Sequence, residues 1–332
     1  MMFEYPQYAG CGYFSIEGKV IAHQPMEQYE IQQDWDWEIA VYLFLGGVSG
    51  GAYVGGVAFG TALNEPLILS FGIVIALLSI VVGSLLLIYD LGVPKRAYLV
   101  FLRPDRSWMA RGSWIIAIFS LLATIHLVLT LGWIALGPTA NLVLGAMTSI
   151  FALSLMAYTG ILLQQCRSIP LWRSWLLPAL FFISAASTGV MSLILSTVIY
   201  AHAAGQSQAM LYTSILSQAD IFLLVVELGI VAGLLYSVAN HSTAGAESVT
   251  LLSRGTLSRE FWVAFLLLGI FIPLTVEIVE VTYELSSFVL ALGMVAGLVG
   301  GFYLRWLVLR AAVNELLHLK DHHVPYAERW AE

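Results

Sequence analysis

Charge is what this chain has least of. Only 11% of its 332 residues are Asp, Glu, Lys or Arg, against about 25% in an ordinary soluble domain, while 59% belong to the hydrophobic set. That composition excludes a soluble globular protein. The 14 basic residues are outnumbered by 21 acidic ones, giving a formal charge of −7 with no basic arm or stripe, which excludes nucleic acid as a partner. Two cysteines, Cys11 and Cys166, cannot hold an iron–sulfur cluster by themselves and are too few to fix a redox compartment. Residues 1–36 contain six acids, one lysine and no apolar run. They do not read as a signal peptide, so the first hydrophobic segment is expected to remain as a membrane span.

Buried histidine is equally scarce. Of seven histidines only His126 lies deep in an apolar run, with His202 at the far end of another. A transmembrane di-haem arrangement needs four buried axial ligands, and this chain lacks them. His318, His322 and His323 read as a solvated run on the C-terminal tail. The chain is therefore expected to hold no haem, no iron–sulfur cluster and no metal of its own. Purified alone, it should show no haem Soret band and no stoichiometric iron, and a bis-histidine b-type spectrum would overturn this reading.

Long apolar runs are abundant. A helix needs about 20 residues to cross ~30 Å of hydrocarbon. Eight runs qualify: Ile39–Gly60, Leu67–Tyr89, Ser113–Leu136, Asn141–Leu163, Trp175–Tyr200, Ile215–Ala239, Phe261–Val281 and Leu285–Leu309. The expected fold is all-α: a single eight-helix transmembrane domain over 37–310, a polar extramembrane leader over 1–36 and an extramembrane tail over 311–332.

Eight spans put both termini on one side, with the loops at 90–112, 164–174 and 240–260. All 14 bases fall on that side by this count, five of them between 90 and 112, whereas Glu65, Asp220, Glu277, Glu280 and Glu284 are expected in the short connections opposite. The positive-inside rule makes the basic side, with both termini, cytoplasmic. A multi-pass protein of a bacterial or archaeal cytoplasmic (inner) membrane is expected.

Inside the spans, Gly46, Gly47, Gly50, Gly51, Gly55, Gly56 and Gly60 crowd the first helix. Such small-residue patches normally let helices approach closely. Ser184, Thr188, Ser192 and Ser196 line one face of the fifth span, where packing is expected in preference to a proton wire. The ionisable residues expected within the bilayer are His126 and Glu227, at ~20 and ~18 Å from the basic side. At that common depth they read as a proton relay or as a buried pair docking the third span on the sixth. Asp36, Trp37, Glu38 and Tyr42 stand at the start of the first span, and Tyr158 is only ~8 Å inside the basic side, close to them.

Three stretches resemble the NrfD/PsrC family, the quinone-reactive membrane subunits of polysulfide-reductase-type complexes. They are Trp37 to Gly47 opening the first span; Asp90-Leu91-Gly92-Val93-Pro94-Lys95-Arg96 with Phe101-Leu102-Arg103-Pro104 behind it; and Tyr158-Thr159-Gly160 near the end of the fourth span. Pro170-Leu171-Trp172 and Leu176-Leu177-Pro178 also look like the family's approach to the fifth span. The resemblance implies an NrfD-like helical bundle acting as anchor and quinone/quinol-reactive subunit. Such a subunit exchanges electrons between membrane menaquinone or ubiquinone and a ferredoxin-like iron–sulfur subunit, which serves a catalytic subunit, often with a molybdenum or tungsten pterin. It also implies a quinone pocket at the Tyr158 position; a quinone headgroup needs hydrogen-bond donors, an apolar slot and a proton route, and Tyr158 with Asp36, Trp37, Glu38 and Tyr42 supplies all three types of residue. The loop carrying Asp90, Pro94, Lys95, Arg96, Arg103 and Arg106 is expected to dock the iron–sulfur subunit. A secondary transporter or proton channel is the alternative, motivated by His126, Glu227 and Pro273 within the seventh span.

Overall fold

A computed structural model describes residues 35–90, 94–102, 104, 107–134, 137–205, 210–283 and 285–314. The expected leader and tail fall almost wholly outside these residues. The described residues form α1 (Trp37–Ala62), α2 (Pro66–Asp90), a 3-10 segment (Pro94–Phe101), α3 (Trp108–Thr130), α4 (Pro138–Gln164) and the short α5 (Pro170–Arg173). They continue through α6 (Leu176–Ala204), α7 (Met210–His241), α8 (Thr243–Ser253), a π-wound segment (Glu260–Phe271), α9 (Ile272–Tyr283) and α10 (Ser287–Arg310). Eight helices are long and apolar enough to cross a membrane, the seventh being the π-wound segment and α9 together.

Two helices make the centre. α1 packs on α2, α4, α6 and α10, and α6 packs on α1, α4, α7 and α10. Their small residues make this possible. A Cβ on Gly51 would lie 2.0 Å from the Ala185 carbonyl oxygen, and one on Gly189 would lie 2.2 Å from the Gly51 carbonyl carbon, so the two backbones touch. Gly50 faces Ala152 and Met156 of α4, and Gly56 faces Gly72 of α2. The glycine-rich face is thus consumed by helix contacts on three sides. The outer helices expose Leu78, Val82 and Leu85 of α2, Leu142 and Ile150 of α4, and Phe222 and Val225 of α7. This apolar girdle suits lipid, where side chains meet hydrocarbon in place of water.

Local chemistry moves two of the expected boundaries. α3 starts at Trp108 because the Ser107 hydroxyl caps it, accepting the Ala110 N–H at 3.4 Å. It stops at Thr130, before Gly132 turns the chain at φ +74°, and Gly137 (φ +82°) with Pro138 opens α4. The third span therefore ends six residues short of the expected Leu136. In the seventh span Pro273 has no N–H and its ring crowds the carbonyl four residues earlier. The helix before it opens to π winding, with the Ile272 N–H donating to the Leu267 carbonyl five residues back.

The structure also corrects the charge inventory. Asp220 and Glu277 are fully buried on α7 and α9, and Glu280 is nearly so; they are helix-interior residues, not parts of short connections. Arg305, counted with the basic side, is 1% exposed. Its Nη1 donates to the Ser184 hydroxyl at 2.7 Å and to the Gly301 carbonyl at 2.8 Å. The guanidinium at this depth is held by oxygens of both α6 and α10.

Candidate functional site

Tyr42 and Tyr158 meet. Both are buried, and their phenolic groups face each other. Their position follows from helix register. Tyr42 is ~8 Å along α1 from Trp37, and Tyr158 is ~9 Å from the basic end of α4, so both side chains sit at the same shallow depth. The slots are cut by glycines: a Cβ on Gly112 of α3 would lie 2.0 Å from the Tyr158 ring, and Gly83 of α2 faces the Tyr42 ring. Four helices thus place two phenolic donors in one dry corner.

The rim of that corner is held separately. The Asp36 carboxylate accepts the Trp37 N–H at 2.9 Å, capping α1, so it serves the helix N-terminus where an anionic group is favoured. Trp37 is 47% exposed and Glu38 is half-buried. Glu38 sits one turn below Tyr42 on the same side of α1. Trp35 stacks on Trp172 at 5.4 Å, and the Trp172 indole N–H donates to the Val308 carbonyl at 2.8 Å. Trp172 of α5 thereby ties the corner to the end of α10, a link the linear sequence did not show.

An apolar crevice of about 270 Å³ lies elsewhere, floored by Gly51, Gly55 and Ala186 and walled by Met156, Val190 and Phe222. It begins ~14 Å further along α1 than Tyr42, and no titratable group lines it. It lacks the donors that a redox headgroup needs.

His126 and Glu227 are not brought together. His126 is buried at 1% exposure, and its Nδ1 shares a 2.5 Å hydrogen bond with the Tyr53 hydroxyl of α1. Glu227 instead faces Ser184 and Arg305. Their depths differ as well. Because α3 starts at Trp108, His126 stands ~27 Å along it from the basic end, whereas Glu227 stands ~21 Å from His241. The expected pair is therefore two separate contacts, one fixing α3 to α1 and the other joining α7 to α6 and α10. The hydroxyl series on α6 is not a wire: Thr188, Ser192 and Ser196 donate to carbonyls of their own helix at 2.7, 2.6 and 2.9 Å.

The proposed docking loop is anchored on α3. The Trp114 indole N–H donates to the Phe101 carbonyl at 3.1 Å, and Arg111 Nε donates to the Pro104 carbonyl at 2.8 Å. The 3-10 segment leading into these anchors exposes Tyr98 and Leu99, and Leu102 just after it is exposed as well. The side chains of Asp90, Pro94, Lys95 and Arg96 and the whole of Arg103 and Arg106 lie outside the described residues.

Comparison with known proteins agrees with this architecture. The sequence is 27% identical over 305 positions to the protein NrfD homolog of Haemophilus influenzae, covering 83% of this protein and 94% of that one. It is 30% identical over 282 positions to the C subunit of the polysulfide reductase of Wolinella succinogenes, covering 76% of this protein and 85% of that one. A shorter match, 27% over 196 positions, covers 50% of this protein and 60% of the protein NrfD of Escherichia coli. The family profile described as polysulphide reductase, NrfD, matches residues 26–316. With eight membrane-length helices built around α1 and α6, the chain is a multi-pass integral membrane protein that belongs to the NrfD family of polysulphide reductase subunits.

Proposed function

We propose that this protein is the membrane anchor and quinone/quinol-reactive subunit of a multi-subunit respiratory oxidoreductase. It exchanges electrons between membrane quinone and an iron–sulfur subunit docked on its basic face. One observation carries the reading: two phenolic hydroxyls, Tyr42 and Tyr158, meet in a buried corner at shallow depth on the side where the basic loops gather. The relative from Wolinella succinogenes is by name one part of a polysulfide reductase, which favours a membrane subunit working with catalytic and iron–sulfur partners.

A bound quinone supplies two-electron, two-proton chemistry. The protein's own part is positional. Tyr158 and Tyr42 present O–H donors to carbonyl oxygens in a site from which water is excluded, where such donors act on developing negative charge more strongly than in water. Glu38, near the rim, is placed to pass protons to the basic face. The shallow depth matters because a cluster in a docked subunit can approach from that side. His126 and Glu227, deeper and apart, are structural contacts in this reading.

The test is reconstitution. Purified from its native membrane, the protein should bring an iron–sulfur protein with it, and the assembled complex should oxidise or reduce a quinone analogue. A homogeneous single-component preparation with no quinone-dependent electron transfer overturns the proposal. Docking is tested by charge reversal. Arg103→Glu with Arg106→Glu should release the iron–sulfur subunit, more readily at high salt, because exposed pairs are screened beyond about 10 Å at 0.1 M. A complex that survives both reversals docks elsewhere.

A further inference from the structure

The most demanding group in the molecule is not at the tyrosine corner. Asp220 of α7 and Glu277 of α9 are each 0% exposed, and their carboxyl groups face one another. Among the described residues, none of their four oxygens has a hydrogen-bond partner. Ser187 of α6 points at Asp220, is 1% exposed and has a hydroxyl with no partner. One turn away on α7 the Ser217 hydroxyl is likewise buried and unpartnered.

Two anionic carboxylates side by side in a bilayer interior, with no described cation against them and only the Ser187 hydroxyl aimed at one of them, are not a tolerable arrangement. The charged groups around the pair are few. α7 contributes Glu227 and α9 contributes Glu280, while Arg305 of α10 faces Glu227 and holds Ser184, Gly301 and Phe181 oxygens through its two Nη groups. No third Asp, Glu, His or Cys joins the pair as a metal-binding set among the described residues. What neutralises the pair must be small and must supply donors to carboxyl and hydroxyl oxygens. A proton shared between the two carboxyl groups does both, since like charges this close cannot both stay ionised.

A route from the acidic face is present. Thr213, Ser217 and Asp220 follow one another on one face of α7 at helical spacing. Glu280 lies one turn beyond Glu277 on α9, towards the acidic end of the helix. Its Oε1 accepts from the Thr213 hydroxyl at 3.2 Å, and its Oε2 accepts the Leu285 N–H at 2.9 Å. Next to Thr213, the Tyr212 hydroxyl donates to Glu65 in the α1–α2 connection. Glu280 is thus the carboxylate standing between the buried pair and the surface. The pair lies ~15 Å along α7 from Met210 and ~9 Å along α9 from Tyr283.

We propose that Asp220 and Glu277 form a proton-binding carboxyl pair, filled and emptied from the acidic face through Glu280 and Thr213. No bond to carbon forms or breaks; a proton moves between carboxyl oxygens and returns to the aqueous phase by the same carboxylate. The site is independent of the quinone reading, because it touches neither Tyr42 nor Tyr158.

Infrared spectroscopy of the full-length protein in lipid nanodiscs tests it. A protonated-carboxyl C=O band should be present at neutral pH and shift on exchange into D₂O. Asp220→Asn and Glu277→Gln, which nearly preserve shape, should each remove it. Asp220→Glu should retain a band at an altered frequency, which separates loss of the site from loss of the fold. Glu280→Gln should leave the band but slow its deuterium shift at least tenfold. A band that is missing, survives both amide variants or exchanges at the same rate in Glu280→Gln overturns the proposal. So does a band abolished by sodium chloride but not by choline chloride, which would assign the pair to a sodium ion.

Discussion

Tyr158→Phe should lower quinone-dependent turnover by ~10²-fold while the complex stays assembled. The ring remains in the slot opened by Gly112, where a Cβ would lie 2.0 Å from it, so packing is preserved and only a donor is lost. Removing one donor aimed at developing negative charge costs about 10² to 10³ in rate in well-measured cases. The change also leaves the Tyr42 hydroxyl without the partner it meets in this corner. Tyr42→Phe should therefore slow turnover as well, and the double variant should lose less than the product of the two single losses, because groups that face one another in one corner are not independent. Steady-state quinol oxidation by the purified complex, with partner content checked on the same sample, reads all three. Unchanged turnover in Tyr158→Phe would move the quinone site out of this corner.

Gly51→Val should abolish accumulation of folded protein. The first carbon of the new side chain would already lie 2.0 Å from the Ala185 carbonyl oxygen and 2.8 Å from its carbon. The obstacle is backbone, so no rotamer relieves it, and α1 would have to separate from α6. Overpacking a well-filled site costs about 1–3 kcal/mol and occasionally more; with two central helices forced apart the upper end of that range or beyond is expected. Gly189→Val, on the opposite side of the same contact, should behave alike. Gly229→Ala supplies the contrast, since nothing lies within 4 Å of a Cβ there. The melting temperature in detergent should be unchanged for Gly229→Ala. If Gly51→Val shows a normal yield and melting temperature, the α1–α6 backbone contact is not what holds the centre together.

The sequence by itself determined the number of spans and the family. Apolar runs long enough for a bilayer are a one-dimensional property, and glycines at helical spacing announce close packing whatever the partner. It also placed Tyr42 and Tyr158 at one depth, because 1.5 Å per residue counts distance along any helix that starts at a known face.

Only the tertiary structure decided which side chains share a depth and also a direction. His126 and Glu227 were matched by counting. The Ser107 cap then moved the start of α3, and each residue faces a different neighbour. Asp220, Glu277 and Arg305 sit near span ends, where hydropathy treats charge as solvated. Asp220 and Arg305 are instead turned inward where α7 and α10 pack on α6, and Glu277 where α9 packs on α7. That rotation is set by how glycine and serine faces interlock among several helices, and one helix's sequence does not carry it. A carboxyl pair without donors is therefore visible only once α6, α7 and α9 are assembled.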